Sequence, residues 1–224
     1  MNKTFNFKTS GYASHQPILK EVLQYVNGNI LECGCGEGST NFIKECMETQ
    51  GKSYRLYSLE SNPEYYDRYK PQESETHKVL KVDAGLDDTH ENGKLWEAYC
   101  MKNFASIEFD LVFIDSCPWL SRKYVFDYYK NKAKIIIIHD VDYFALHGVF
   151  GRLNNTVMLP GGKIYYDCDF SNVVKNSLYY APPLQYWDGV TGPPTLVCSD
   201  ILSTETFLSM KSTILQNVIK YYEQ

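Results

Sequence analysis

Acidic side chains recur where short apolar runs of this sequence end. Glu32 follows "NIL", Glu60 ends "RLYSLE", Asp83 follows "VLKV" and Asp115 ends "LVFID". His139 and Asp140 close "IIII", with Asp142 two residues on. Carboxylates at such positions can hold hydroxyl or amino groups of a ligand, and an imidazole beside them can take up a proton. Between Glu32 and the next helical pattern stand Gly34, Gly36 and Gly38. Glycine sacrifices conformational entropy, so three in five residues imply something close to the backbone. The spacing is one residue short of G-x-G-x-x-G, and no Gly-Lys-Ser/Thr follows. Glu32 would repel a pyrophosphate. The chemistry points to a ligand without phosphates.

The segments between these residues say what must position them. "SHQPILKEVLQYV" has apolar residues at helical spacing, with Ser14 as its cap. "NILECG", "SYRLYSLE", "HKVLKVDAG", "FDLVFIDS" and "KIIIIHD" read as strands. "STNFIKECMETQG", "NPEYYDRY", "KLWEAYCMKNF" and "LSRKYVFDYYKNK" read as the helices between them. Alternation of this kind, with continuously apolar strands, predicts a parallel sheet covered on both faces. Beyond residue 150 come strands, Pro/Gly-rich loops and a C-terminal helix near "LSMKSTILQNVIKYY". The expectation is one α/β domain over 1–224: a single, doubly wound, Rossmann-like unit with a mostly parallel seven-stranded sheet. Residues 14–142 form its cofactor-binding half, and 143–224 its acceptor-side half and C-terminal helix.

The acidic residue followed by G-x-G-x-G after the first strand resembles motif I of the class I S-adenosylmethionine-dependent methyltransferases. The resemblance covers roughly residues 14 to 142. It implies that Glu32, Gly34, Gly36, Gly38, Glu60, Asp83 and Asp115 line the S-adenosylmethionine site. Glu60 would hold the ribose hydroxyls and Asp83 would lie near the adenine amino group. The glycines would leave room for the methionine tail and ribose, with Glu32 favouring the cationic end. Glu60 also reads as a helix cap, and Asp83 as turn chemistry.

"FIDS" and "IIIIHDVD" look like small-molecule O-methyltransferases that bind Mg²⁺. Asp115 and Asp140 match two of that group's three metal positions. His139 stands where an acid is expected, and Asp142 is the alternative third ligand. Imidazole is a poor magnesium ligand and a good general base. Two readings stay open: Mg²⁺ on Asp115 and Asp140, or Asp115 as a carboxylate that orients the substrate. His139, Asp115 and Asp142 are the catalytic candidates. Pro118 occupies the place of a lysine found in catechol-type enzymes, which speaks against that chemistry. The implied reaction is methyl transfer to a hydroxyl of a small molecule, such as a sugar or natural-product-like acceptor. The rivals are a methyltransferase-like subunit without turnover, a nicotinamide-dependent oxidoreductase, and a protein or nucleic-acid acceptor.

The rest of the chain narrows the partners. A net charge of −5 over 224 residues argues against a duplex nucleic-acid binder, which usually needs a basic face. No apolar run approaches the ~18 residues of a membrane span. Seven scattered cysteines and an N-terminus without an apolar core suggest reduced thiols in a cytoplasmic protein. The terminal helices offer surfaces for a homo-oligomer. His15 and His147 are further acceptor-side candidates, expected on surface or lid positions. Tyr180, Tyr186 and Trp187, around "APPLQYWDGVTGPP", could stack on a flat ring.

Overall fold

The computed structural model describes residues 11–146, 150–159, 163–182 and 192–222. Strands β1 (Asn29–Cys33), β2 (Arg55–Glu60), β3 (His77–Lys81), β4 (Leu111–Ile114) and β5 (Ile135–His139) alternate with helices. These are α1 (Gln16–Leu23) before β1, then α2 (Thr40–Thr49), α3 (Pro63–Tyr69), α4 (His90–Phe104) and α5 (Trp119–Tyr129). After β5 come α6 (Val141–Leu146), β6 (Arg152–Leu159), β7 (Lys163–Asp169), β8 (Asn176–Tyr180), β9 (Thr195–Ser199) and α7 (Thr204–Tyr222). Seven strands form one sheet in the order β3-β2-β1-β4-β5-β9-β8, and β6 and β7 pair separately. The first five strands run parallel; β9 is antiparallel to β5, and β8 to β9. This is the class I methyltransferase-like topology, with the two terminal strands added as a hairpin beyond the parallel set.

Continuous apolar strands predict burial on both faces, and the packing shows why. Ile135 and Ile137 face a layer built from α1, α2 and α7, through Leu19, Ile43 and Ile214. Ile136 and Ile138 face the opposite layer, with Trp96 of α4 and Phe126 of α5. Each such side chain taken fully out of water contributes roughly 1.5–3 kcal/mol. In α5 the buried set includes Arg122, Val125, Phe126 and Tyr129. Their spacing is that of one helix face, so an arginine lies on the stripe that packs against the sheet.

Several local expectations shift. Helix α1 starts at Gln16 with no side-chain cap, and Ser14 is turned elsewhere. Helix α4 starts at His90, four residues ahead of the expected "KLWEAYCMKNF", because the Thr89 hydroxyl accepts from the Asn92 N–H. Tyr180 is buried against α7, its hydroxyl bonded to that of Tyr222, so it packs the core instead of a ligand ring. His147, Tyr186 and Trp187 lie outside the described residues. Among the described residues no helix is long and apolar enough to cross a membrane. All seven cysteines are free thiols, and Cys117 alone is exposed.

Candidate active site at the carboxyl ends of β1, β2, β4 and β5

A cavity of about 420 Å³ opens where the parallel strands end. Gly34, Gly36, Gly38, Glu60, Asp115, His139 and Asp140 all line it. Open parallel sheets bind ligands at this edge, where the strand order reverses between β1 and β4.

The three glycines have three different reasons. Gly34 adopts φ +96°, and a Cβ there would come within 2.4 Å of the Asp115 carbonyl oxygen. It lets the ends of β1 and β4 touch. A Cβ on Gly38 would meet the Tyr12 carbonyl at 2.7 Å, so Gly38 makes room for the N-terminal segment. Gly36 would meet nothing closer than 3.6 Å. Two of the three are therefore glycine because the protein's own backbone lies against them. Gly36 is the one with space toward the cavity.

The two acids nearest this loop are also unlike. Glu32 is fully buried and is not part of the cavity wall. Its register partner on β2 is Ser58, whose hydroxyl donates to one oxygen at 2.5 Å; Thr40 donates to the other at 3.0 Å. Burial pushes its carboxyl up to about 7, even against the hydrogen bonds from Ser39, Ser58 and Thr40. Glu32 braces the loop from below, since Thr40 also accepts from the Gly36 N–H. Glu60 does reach the cavity. It accepts from Cys35 N–H at 2.8 Å and Asn62 N–H at 2.7 Å, which anchors one oxygen each. Burial raises its pKa while these backbone donors oppose the rise. A carboxylate has about four lone-pair sites, so both oxygens keep capacity for ligand hydroxyls.

The ends of β4 and β5 are organised by a residue that strand-end reasoning missed. Arg122, on the first turn of α5, is buried. Its guanidinium lies 3.0 Å from Asp115 and 3.0 Å from Asp140. It also donates to the Ser116 carbonyl at 2.9 Å and the His139 carbonyl at 2.7 Å. The detectable signal was its place on the apolar stripe of α5. Asp140 itself sits at φ +54°, a left-handed conformation that turns the chain sharply after β5.

His139 is buried, with Nδ1 3.3 Å from Asp115 and 3.6 Å from Asp140. Burial opposes charge on its ring, but Asp140 and Asp115 outweigh burial and raise its pKa. Burial likewise opposes ionisation of Asp115, yet His139 and Arg122 hold that carboxyl down at about 2. His15, expected on a surface or lid, is instead buried beside His139, their ring centroids 4.6 Å apart. Burial, then the charge of His139, lowers its pKa to about 3. Ser14 accompanies it, 2.8 Å from His139 Nε2.

Besides Glu32, two expected site residues are not on the cavity wall. Asp83 lies two residues past β3, exposed and away from the cavity wall. Asp142 lies in the first turn of α6, also off the wall. Mg²⁺ on Asp115 and Asp140 does not fit this donor set. Magnesium needs oxygen ligands at about 2.0–2.1 Å around an octahedron. Here a guanidinium already bridges the two carboxylates, and the adjoining groups are imidazoles.

No family model and no curated protein matches the chain. Among solved structures it is similar to the O-methyltransferase TomG from Streptomyces achromogenes, involved in tomaymycin synthesis, in complex with S-adenosylmethionine. Identity is 14% and the TM-score 0.45, over 86% of this chain and 82% of that one. It is also similar to a chain from the complex between the Haloferax volcanii Trm112 methyltransferase activator and a candidate methyltransferase. There identity is 11% and the TM-score 0.39, over 88% of this chain and 99% of the other. Both likenesses are too distant to carry an argument about activity. The strand order itself is what gives this chain a class I methyltransferase-like fold.

Proposed function

We propose that the protein binds S-adenosylmethionine in the strand-end cavity and transfers its methyl group to a hydroxyl of a small-molecule acceptor. The observation that carries this reading is Glu60. Its carboxylate is fixed by two backbone N–H groups over a glycine loop and faces the cavity, as a paired ribose diol requires. Gly36 provides the open backbone beside it. The cofactor supplies an activated methyl on a sulfonium, so the protein has to align the acceptor and accept its proton.

His139 is the group for that proton. Its Nδ1 stands beside Asp115, which stabilises the imidazolium formed as the acceptor oxygen attacks. Asp115 and Asp140 are held by Arg122 and lie beside the ring without taking the proton, while Ser14 fixes the ring at Nε2. Trp119 lies under the Arg122 guanidinium at 4.7 Å and lines the cavity, offering an apolar face to the acceptor. Asp83 and Asp142 have no direct part in this scheme.

Calorimetric titration with S-adenosylhomocysteine tests the cofactor. Micromolar binding by the wild type and its loss in Glu60→Ala are expected. Absence of binding by a folded wild type would reject the enzyme reading and favour a methyltransferase-like subunit without turnover. Transfer of labelled methyl to a panel of hydroxylated small molecules then tests the acceptor class.

A further inference from the structure

Three side chains from three separate elements converge on one point at the cavity floor. Potential ligand atoms of His15, Asp115 and His139 all lie within 4.8 Å of one another. The hydrogen bonds around them fix both rings. His15 Nε2 lies 3.2 Å from the Gly38 carbonyl, which can only accept, so that nitrogen carries the hydrogen. The Ser14 hydroxyl has one proton and donates it to the Pro193 carbonyl at 2.7 Å. It therefore accepts from His139 Nε2 at 2.8 Å.

In both neutral imidazoles the lone pair is left on Nδ1. Both Nδ1 atoms are buried, and neither has a hydrogen-bond partner among the described residues. His139 Nδ1 is 3.3 Å from an Asp115 oxygen but out of line for a hydrogen bond. Arg122 balances the Asp115 carboxylate from one side, and the two lone pairs leave room for a further positive group between the rings.

We propose that this point is a binding site for a divalent transition-metal ion of the Zn²⁺ class, held by His15 Nδ1, His139 Nδ1 and the Asp115 carboxylate. Two imidazoles and one carboxylate suit such an ion and not Mg²⁺. The 3.3 Å separation of His139 Nδ1 and Asp115 matches the edge of a tetrahedron with metal–ligand bonds of about 2.0 Å. The remaining edges, at up to 4.8 Å, have to shorten when the ion binds. Each histidine already has its far nitrogen tied to an oxygen, the outer contact that orients metal-ligating imidazoles. Asp115 has lone pairs enough to keep Arg122 at the same time.

The fourth position faces the cavity. This inference does not depend on methyl transfer. Where that reading holds, the ion and the acceptor proton compete for the same His139 lone pair, and Zn²⁺ lowers turnover.

The test uses the full-length protein freed of metal by a chelator and titrated with Co²⁺, then Zn²⁺. Co²⁺ is expected to give intense visible absorption bands of low coordination number, one ion per chain, abolished by an equivalent of Zn²⁺. His15→Gln and His139→Gln should each weaken Zn²⁺ uptake at least tenfold by calorimetry, while Asp140→Asn retains it. Circular dichroism confirms that each variant is folded. No Co²⁺ bands in the wild type would overturn the site and leave a proton on His139 as the occupant. Uptake unchanged in both histidine variants, or lost only in Asp140→Asn, would overturn the ligand set.

Discussion

The carboxylates of Glu60 and Asp115 line one cavity, yet they are held by opposite means. Glu60 is fixed by backbone N–H groups of the chain that leads away from β1 and β2. Asp115 is fixed by side chains from other elements, Arg122 of α5 and His139 of β5. The first arrangement follows from the fold and survives most substitutions around it. The second exists only while distant side chains keep their charges. One half of the site is thus a shape, and the other a balance of charge that changes with protonation or ions.

The sharpest break in that comparison is Gly34→Ala. Its Cβ would collide with the backbone of Asp115 at a positive φ, so we expect a loss of more than about 3 kcal/mol by urea unfolding, or no folded protein. Arg122→Ala follows. Asp115 and Asp140 would be left partly buried without their cation, costing roughly 3–5 kcal/mol; Arg122→Lys should recover only part of this. A neutral result for Arg122→Ala would mean that the charged half does not depend on side chains as argued.

Glu60→Ala should leave the fold intact and weaken S-adenosylhomocysteine binding about 100-fold, on the scale of two charge-assisted hydrogen bonds. Asp115→Ala should cost less than about tenfold in the same titration. Equal losses would merge the two halves into one. Gly36→Ala makes only ordinary contacts, the nearest to Ser39 Oγ at 3.6 Å, so its stability should change by less than about 1 kcal/mol while cofactor affinity falls. Unchanged affinity would move the ligand off this loop.

The smallest effect is the response to pH, where the halves separate again. Asp115 has a depressed pKa, so its contribution to stability is present above its ordinary 3.8 and is lost as pH falls toward about 2. His139 has a raised one, so its contribution is present below 6.5 and is lost as pH rises through the raised value. Turnover, which needs neutral His139, should rise over the same upper range. Thermal melting from pH 1.5 to 9 and rate profiles over the upper part of that range read both, and His139→Gln should flatten the upper limb of the stability curve. A retained limb would assign it to another group.

How far the sequence disclosed this site follows the same divide. Strand-end acids and the glycine loop were legible because periodicity locates a strand's end, and a strand's end locates the cavity. Glu60, Asp115, His139 and Asp140 were expected together for that reason, and all four line the cavity. Asp83 was misplaced by the same rule, since β3 stops at Lys81 and the chain then runs out to solvent. Ser14 reads locally as a helix cap, and only the folded chain shows it turned to His139. Arg122 looks like one charge in a polar-flanked helix until its face is known. Local patterns carry no information about which distant carboxylates need that cation.

Ser14 has a last consequence, for the order in which the molecule is made. Its hydroxyl joins His139, 125 residues later, to Pro193, 179 residues later. Strand β9, which begins at Thr195, has to slot beside β5 before that carbonyl is in place. At about 5–20 residues per second, synthesis of the intervening chain takes roughly 10–40 s. Through that interval the nascent segment around Ser14 waits without its final partners, and the cavity floor is completed only when β9, the last of the seven sheet strands in chain order, has been made.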